Sequence, residues 1–118
     1  MTAELVGEEV RSVLAALADP MRRRLLDALV DLGSASATTL AARVPVSRQA
    51  VIKHLQTLEA AHLVRATRAG REVLYQARPD ALRASARWLA ELASTWDRRL
   101  NRLKRAAEAR APADGSAR

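Results

Sequence analysis

A mainly α fold (α+β) carrying one small hairpin is what this sequence predicts, and three features predict it. Apolar residues recur at three- and four-residue intervals over most of the chain, and the only aromatics are Tyr75, Trp88 and Trp96. The helical period breaks once, around residues 63–77, into two short runs with strand character. The expected order is α-α-α-α-β-β-α, and 118 residues leave room for one core but not for a separate catalytic domain.

The first helix is predicted over Glu8 to Ala18, where Val10, Val13, Leu14 and Leu17 make one apolar stripe. Asp19 followed by Pro20 pairs a capping residue with a first-turn proline, the start signal of a second helix. That helix runs through Leu25, Leu26, Leu29 and Val30 and stops near Gly33. From Ser36 a short third helix carries Leu40, Ala41 and Val44 and is broken at Pro45, which lacks a donor and disfavours helix before it. Ser47 is a fresh N-cap, and Ala50, Val51, His54, Leu55, Leu58 and Ala61 give the fourth helix, roughly Arg48 to Ala61. Two strands follow, Leu63 to Thr67 and Glu72 to Gln76, around a turn at Ala69-Gly70 flanked by Arg68 and Arg71. Pro79 opens a last helix through Leu82, Leu89, Leu92, Trp96, Leu100 and Leu103. At 1.5 Å per residue it is roughly 45 Å long, more than a small domain can cover alone.

These elements give one domain over residues 1–110, with a disordered tail at 111–118. Within it a helix-turn-helix falls at about 36–61, a hairpin at about 63–77, and flanking helices at about 8–18 and 79–108, the last of which needs a partner to cover it.

Lys and Arg outnumber Asp and Glu by 20 to 13, an excess that attracts polyanions such as nucleic acid. Residues 1–19 carry Glu4, Glu8, Glu9 and Asp19 against Arg11 alone, so the basic surface lies beyond the first helix. With no cysteine there is neither a disulfide framework nor thiolate metal ligation. No long apolar run or signal-peptide pattern occurs, so the expected location is the cytoplasm and no membrane partner is expected. There is no Gly-rich phosphate loop, nucleophile beside a His and acid pair, or metal cluster at useful spacing, so no enzyme activity is expected.

Two helices joined by the break Val44-Pro45-Val46-Ser47 and followed by a hairpin with a basic tip make a helix-turn-helix with a wing. Such a unit places its second helix in the major groove of double-stranded DNA. Val51, Leu55 and Leu58 face the core, leaving Arg48, Gln49, Ile52, Lys53 and Gln56 outward. Arg suits guanine, Gln suits adenine, and an exposed Ile suits a thymine methyl. Ser47 caps the helix and lets its N-terminus meet a phosphate. Arg68 and Arg71 on the wing, and Arg22 at the start of the second helix, are further candidates for the DNA backbone. Arg22 stands in an Arg22-Arg23-Arg24 run, where basic charge at a helix N-terminus is mildly unfavourable and so hints at a phosphate role.

Three segments in order, Leu17-Ala18-Asp19-Pro20-Met21-Arg22-Arg23-Arg24, Val46 through Leu55, and Leu63-Val64 with Gly70-Arg71 and Leu74-Tyr75, resemble the ArsR/SmtB family of winged-helix repressors over about residues 8–105. The resemblance implies a homodimer built on the first and last helices, which puts Val10, Val13, Leu17, Leu82, Leu89, Leu92, Trp96 and Leu100 at the interface. It also implies repression by occupying an operator, expected to be an inverted repeat. Ser36 and Thr38 stand where metal-sensing members place a Cys-x-Cys pair, and no His follows His62. The chain therefore resembles the metal-independent branch, with no metal, no cofactor and no identified effector. His54 and His62, about 12 Å apart along one helix, read as structural or surface residues. Trp88 and Trp96 read as dimer core, and the run Arg98 to Arg105 as a solvated face. The alternative function is a winged-helix protein-interaction module, whose mark would be an apolar fourth-helix surface.

Overall fold

The computed structural model describes residues 3–110. The expected tail at 111–118 lies outside the described residues. The order is α1 (Ala3–Leu17), α2 (Pro20–Leu32), β1 (Ala35–Ser36), α3 (Ala37–Ala41), α4 (Arg48–Ala60), β2 (Val64–Ala69), β3 (Glu72–Ala77) and α5 (Asp80–Arg110). All five helices and both hairpin strands of the sequence reading are present, and β1 is an addition to it. β1 pairs antiparallel with β3 through Ala35↔Tyr75 and Ser36↔Leu74, giving a three-stranded sheet ordered β1-β3-β2.

The boundaries follow from local chemistry. Asp19 is the N-cap of α2, its carboxylate accepting from the Met21 N–H at 2.7 Å and the Arg22 N–H at 3.4 Å, with Pro20 at the first helical position. The Met21 N–H holds the Asp19 carboxyl below the usual carboxylate range against the opposing effect of desolvation. Gly33 ends α2 at φ 81°, where its N–H reaches the Leu29 carbonyl at 2.7 Å. Ser36 and Ser47 cap α3 and α4, accepting from Thr39 N–H at 3.2 Å and Ala50 N–H at 3.1 Å.

At the end of α4, His62 N–H donates to the Glu59 carbonyl and Leu63 N–H to the Leu58 carbonyl, both at 2.9 Å. These are the paired bonds of a Schellman ending, and they hold His62 at φ 61°, a left-handed conformation that suits glycine. His62→Gly is therefore expected to raise the unfolding free energy by about 0.5–1 kcal/mol in chemical denaturation. A loss of stability would contradict this reading of the turn.

The core of the unit up to Ser85 is built from Val13, Leu25, Leu29, Leu40, Val51, Leu55, Leu58, Leu63, Val64 and Tyr75, joined by several alanines. α1 packs against α2 and α4. Its Val13 and Ala16 edge joins the core and Val10 is buried as well, while Leu14 is left 45% exposed. This corrects the sequence reading of Val10 and Val13 as interface residues, because at 4% and 1% exposure both are already covered within the chain. From Ala86 onward α5 forms a second unit, in which Leu89, Trp96, Leu100 and Leu103 share one stripe and are 39%, 56%, 61% and 67% exposed.

Candidate nucleic-acid interface

The surface begins with α3, which is held by burial of Ala37 and Leu40 and by its Ser36 cap. Residues 42–47 turn the chain, and α4 then buries Val51, Leu55 and Leu58 completely. A helix period with one face in the core must present the other, and Arg48, Gln49, Lys53 and Gln56 are exposed as expected. Ser47 is exposed beside them while its hydroxyl accepts from the Ala50 N–H. Ile52 departs from expectation: it is half-buried and packs against the core. The reason is its position one residue after Val51, on the shoulder of the buried stripe.

The wing is β2 and β3, paired in register from Val64↔Ala77 to Ala69↔Glu72. A two-residue loop, Gly70-Arg71, closes it, with Gly70 at φ 64° as tight hairpin turns of this length require. Arg68 and Arg71 are both exposed. Arg71 lines a cavity with Thr38, Arg48, Ile52 and Tyr75, so the wing tip and the start of α4 share one groove. Burial pushes the Tyr75 phenol up in pKa there. Across this groove Arg48 Nε donates to Thr38 Oγ1 at 3.0 Å.

Arg22 is not part of this surface, which corrects the sequence reading. Its guanidinium turns back onto the end of α1, donating to the Ala16 carbonyl at 2.7 Å and the Ala15 carbonyl at 3.1 Å. It also lies 3.6 Å from Asp19 Oδ2 and 3.4 Å from His54 Nδ1. Arg23 donates similarly to the Leu17 carbonyl. The final carbonyls of a helix lack intrahelical partners and carry its negative dipole end, so two arginines placed across the tight Ala18-Asp19 reversal satisfy both needs. His54 is accordingly a structural contact between α4 and α2.

Thr38 is an exposed member of this surface that sequence reasoning passed over, and Arg43 is exposed in the turn that leads to α4. Arg43 was legible as a cation in the inter-helix turn. Thr38 was not, because its tie to Arg48 spans ten residues with no periodic signal. Among the described residues no group of three or more His, Cys, Asp or Glu side chains is placed to hold a metal ion.

The helix-turn-helix domain family model matches residues 17–66. No curated protein matches the chain. Among solved structures, an ArsR-like transcriptional regulator from Rhodococcus sp. RHA1 is similar at 44% identity and TM-score 0.74, over 85% of this chain and 93% of that one. The AntR antimony-specific transcriptional repressor is similar at 34% identity and TM-score 0.57, over 81% and 86%. NolR from Sinorhizobium fredii is similar at 28% identity and TM-score 0.59, over 81% and 94%. A capped recognition helix, a basic wing and 44% identity across most of both chains lead to one conclusion: the chain belongs to the ArsR family of winged helix-turn-helix, DNA-binding transcriptional regulators.

Proposed function

We propose that the chain is a repressor that occupies an inverted-repeat operator as a homodimer, reading bases with α4 and holding phosphates with the wing. The observation that carries this is the single groove in which Arg48, at the start of α4, and Arg71, at the wing tip, stand together. Arg48, Gln49, Lys53 and Gln56 are the proposed contacts in the major groove, with Ile52 lending a partly buried apolar wall. Arg68, Arg71 and the Ser47 end of α4 are the proposed backbone contacts. The retreat of Ile52 toward the core leaves this face without a large exposed apolar side chain, which disfavours the protein-interaction alternative.

The proposed dimer contacts are, on the unit up to Ser85, the exposed Leu14 and Leu82 with the half-buried Leu17, and, on α5 from Ala86 onward, the exposed Leu89, Trp96, Leu100 and Leu103 with the half-buried Leu92. An exposed apolar stripe of this length is costly in water, and each side chain covered by a partner contributes roughly 1.5–3 kcal/mol. Metal-independent action is proposed because the sequence has no cysteine and the Ser36 and Thr38 hydroxyls are engaged, one as a helix cap and the other with Arg48. No catalytic role is proposed. No helix of the described residues is long and apolar enough to cross a membrane, in keeping with a DNA-binding protein of the cytoplasm.

Selection from a random duplex pool tests this function. The expected yield is an inverted repeat with half-sites about one helical turn apart, bound by two copies of the chain, in a complex that persists when cadmium is added. No enrichment, or a one-to-one complex, would contradict the proposal.

A further inference from the structure

We infer that Thr38 is a positioning residue for Arg48, fixing the orientation in which that guanidinium meets DNA; the inference rests on the reading of Arg48 as a base reader. An exposed arginine has many rotamers, and holding one of them for recognition costs conformational entropy unless the protein has already selected it. Here a selecting contact exists. Arg48 Nε donates to Thr38 Oγ1 at 3.0 Å, from the first residue of α4 to the short helix before it. The acceptor stands on a fixed platform, because Ala37 and Leu40 on either side of it are 6% and 0% exposed. Ile52, Arg71 and Tyr75 line the same cavity and restrict where the guanidinium can swing.

The geometry has a chemical consequence. A guanidinium carries five N–H donors in a rigid fork, and guanine presents two acceptors, N7 and O6, to a parallel pair of them. Two pairs could serve, one using Nε with a terminal nitrogen and one using the two terminal nitrogens. With Nε–H committed to Thr38, only the terminal pair remains. Thr38 therefore selects an end-on approach and leaves the two terminal nitrogens of Arg48 for one base edge. Lysine in place of Arg48 would have neither the fork nor the tether.

The test uses the full chain, a duplex selected from a random pool by the wild-type protein, and a duplex of random sequence. Thr38→Val replaces the hydroxyl by a methyl of similar shape, and Thr38→Ser keeps the oxygen. Thr38→Val is expected to lower the ratio of selected to random affinity about three- to tenfold, the range of one modest hydrogen bond. Thr38→Ser should retain most of the ratio. Random-duplex affinity, its salt dependence and the thermal midpoint should stay unchanged in both. In an Arg48→Ala background Thr38→Val should add nothing, since the partner it positions is gone. An unchanged ratio in Thr38→Val, beside a reduced one in Arg48→Ala, would overturn the inference and leave the base reader standing. Equal losses on both duplexes would make Thr38 a phosphate contact and also overturn it. An unchanged ratio in Arg48→Ala would remove the base reader itself, and the inference with it.

Discussion

Truncating Leu55 to alanine is expected to cost about 2–5 kcal/mol of unfolding free energy, among the largest single-residue effects on stability in this fold. Leu55 is 0% exposed, at the middle of α4, with Val51 and Leu58 one turn away on either side and equally buried. Removing its branched end leaves a cavity that α1, α2 and β2 cannot close without moving, because each of these elements already packs its own buried side chains there. Domains of this size hold only about 5–15 kcal/mol in total, so the variant should lose a large share of its stability. Thermal unfolding at fixed protomer concentration measures it, and a fall on the order of 15 °C is expected. A loss under about 1 kcal/mol would mean that α4 is not anchored through this residue.

The second large effect lies in binding. Base-reading and phosphate-holding side chains fail differently, since only the former distinguish one sequence from another. Arg48→Ala should cost about 1–3 kcal/mol per protomer on the selected duplex and much less on a random one. Arg71→Ala should weaken both duplexes alike and flatten the dependence of log K on log salt by about one unit per protomer contact. In a homodimer each change is present twice. Titrations at several salt concentrations separate the two outcomes. Equal losses on both duplexes for Arg48→Ala would make α4 an anchor, and no loss for either variant would remove this face from DNA.

The fold was legible wherever one residue type had one conformational use. Asp19-Pro20, Ser47 and Gly70 mark starts and turns through backbone constraints that act locally, and all three stand where the sequence puts them. The third helix is shorter than expected: it ends at Ala41, so Val44 and Pro45 lie in the turn beyond it and not at its break. β1 was not legible, because two residues make no alternation and Ala35 is extended only through its pairing with Tyr75 on β3. The α1 stripe was visible, but which edge of it the chain buries was not. Val10, Val13 and Leu14 are equally apolar, and α2 and α4 decide that Leu14 is the one left outside.

The candidate site was legible for the same reason on its outer face, where Arg48, Gln49, Lys53 and Gln56 follow from the helical period. Arg22 misled because its charge is visible in sequence while the carbonyls it serves at the end of α1, those of Ala15 and Ala16, are not. Thr38 escaped because a side-chain hydrogen bond between two helices has no sequence signature.

If α4 reads bases, this chain discriminates among DNA sequences, and the decisive measurement is the affinity of the wild-type protein for its selected duplex against a random duplex at one physiological salt concentration. The expected ratio is on the order of a thousandfold or more, with two protomers on the selected duplex. Equal affinity for the two duplexes, or no affinity for either, would contradict it.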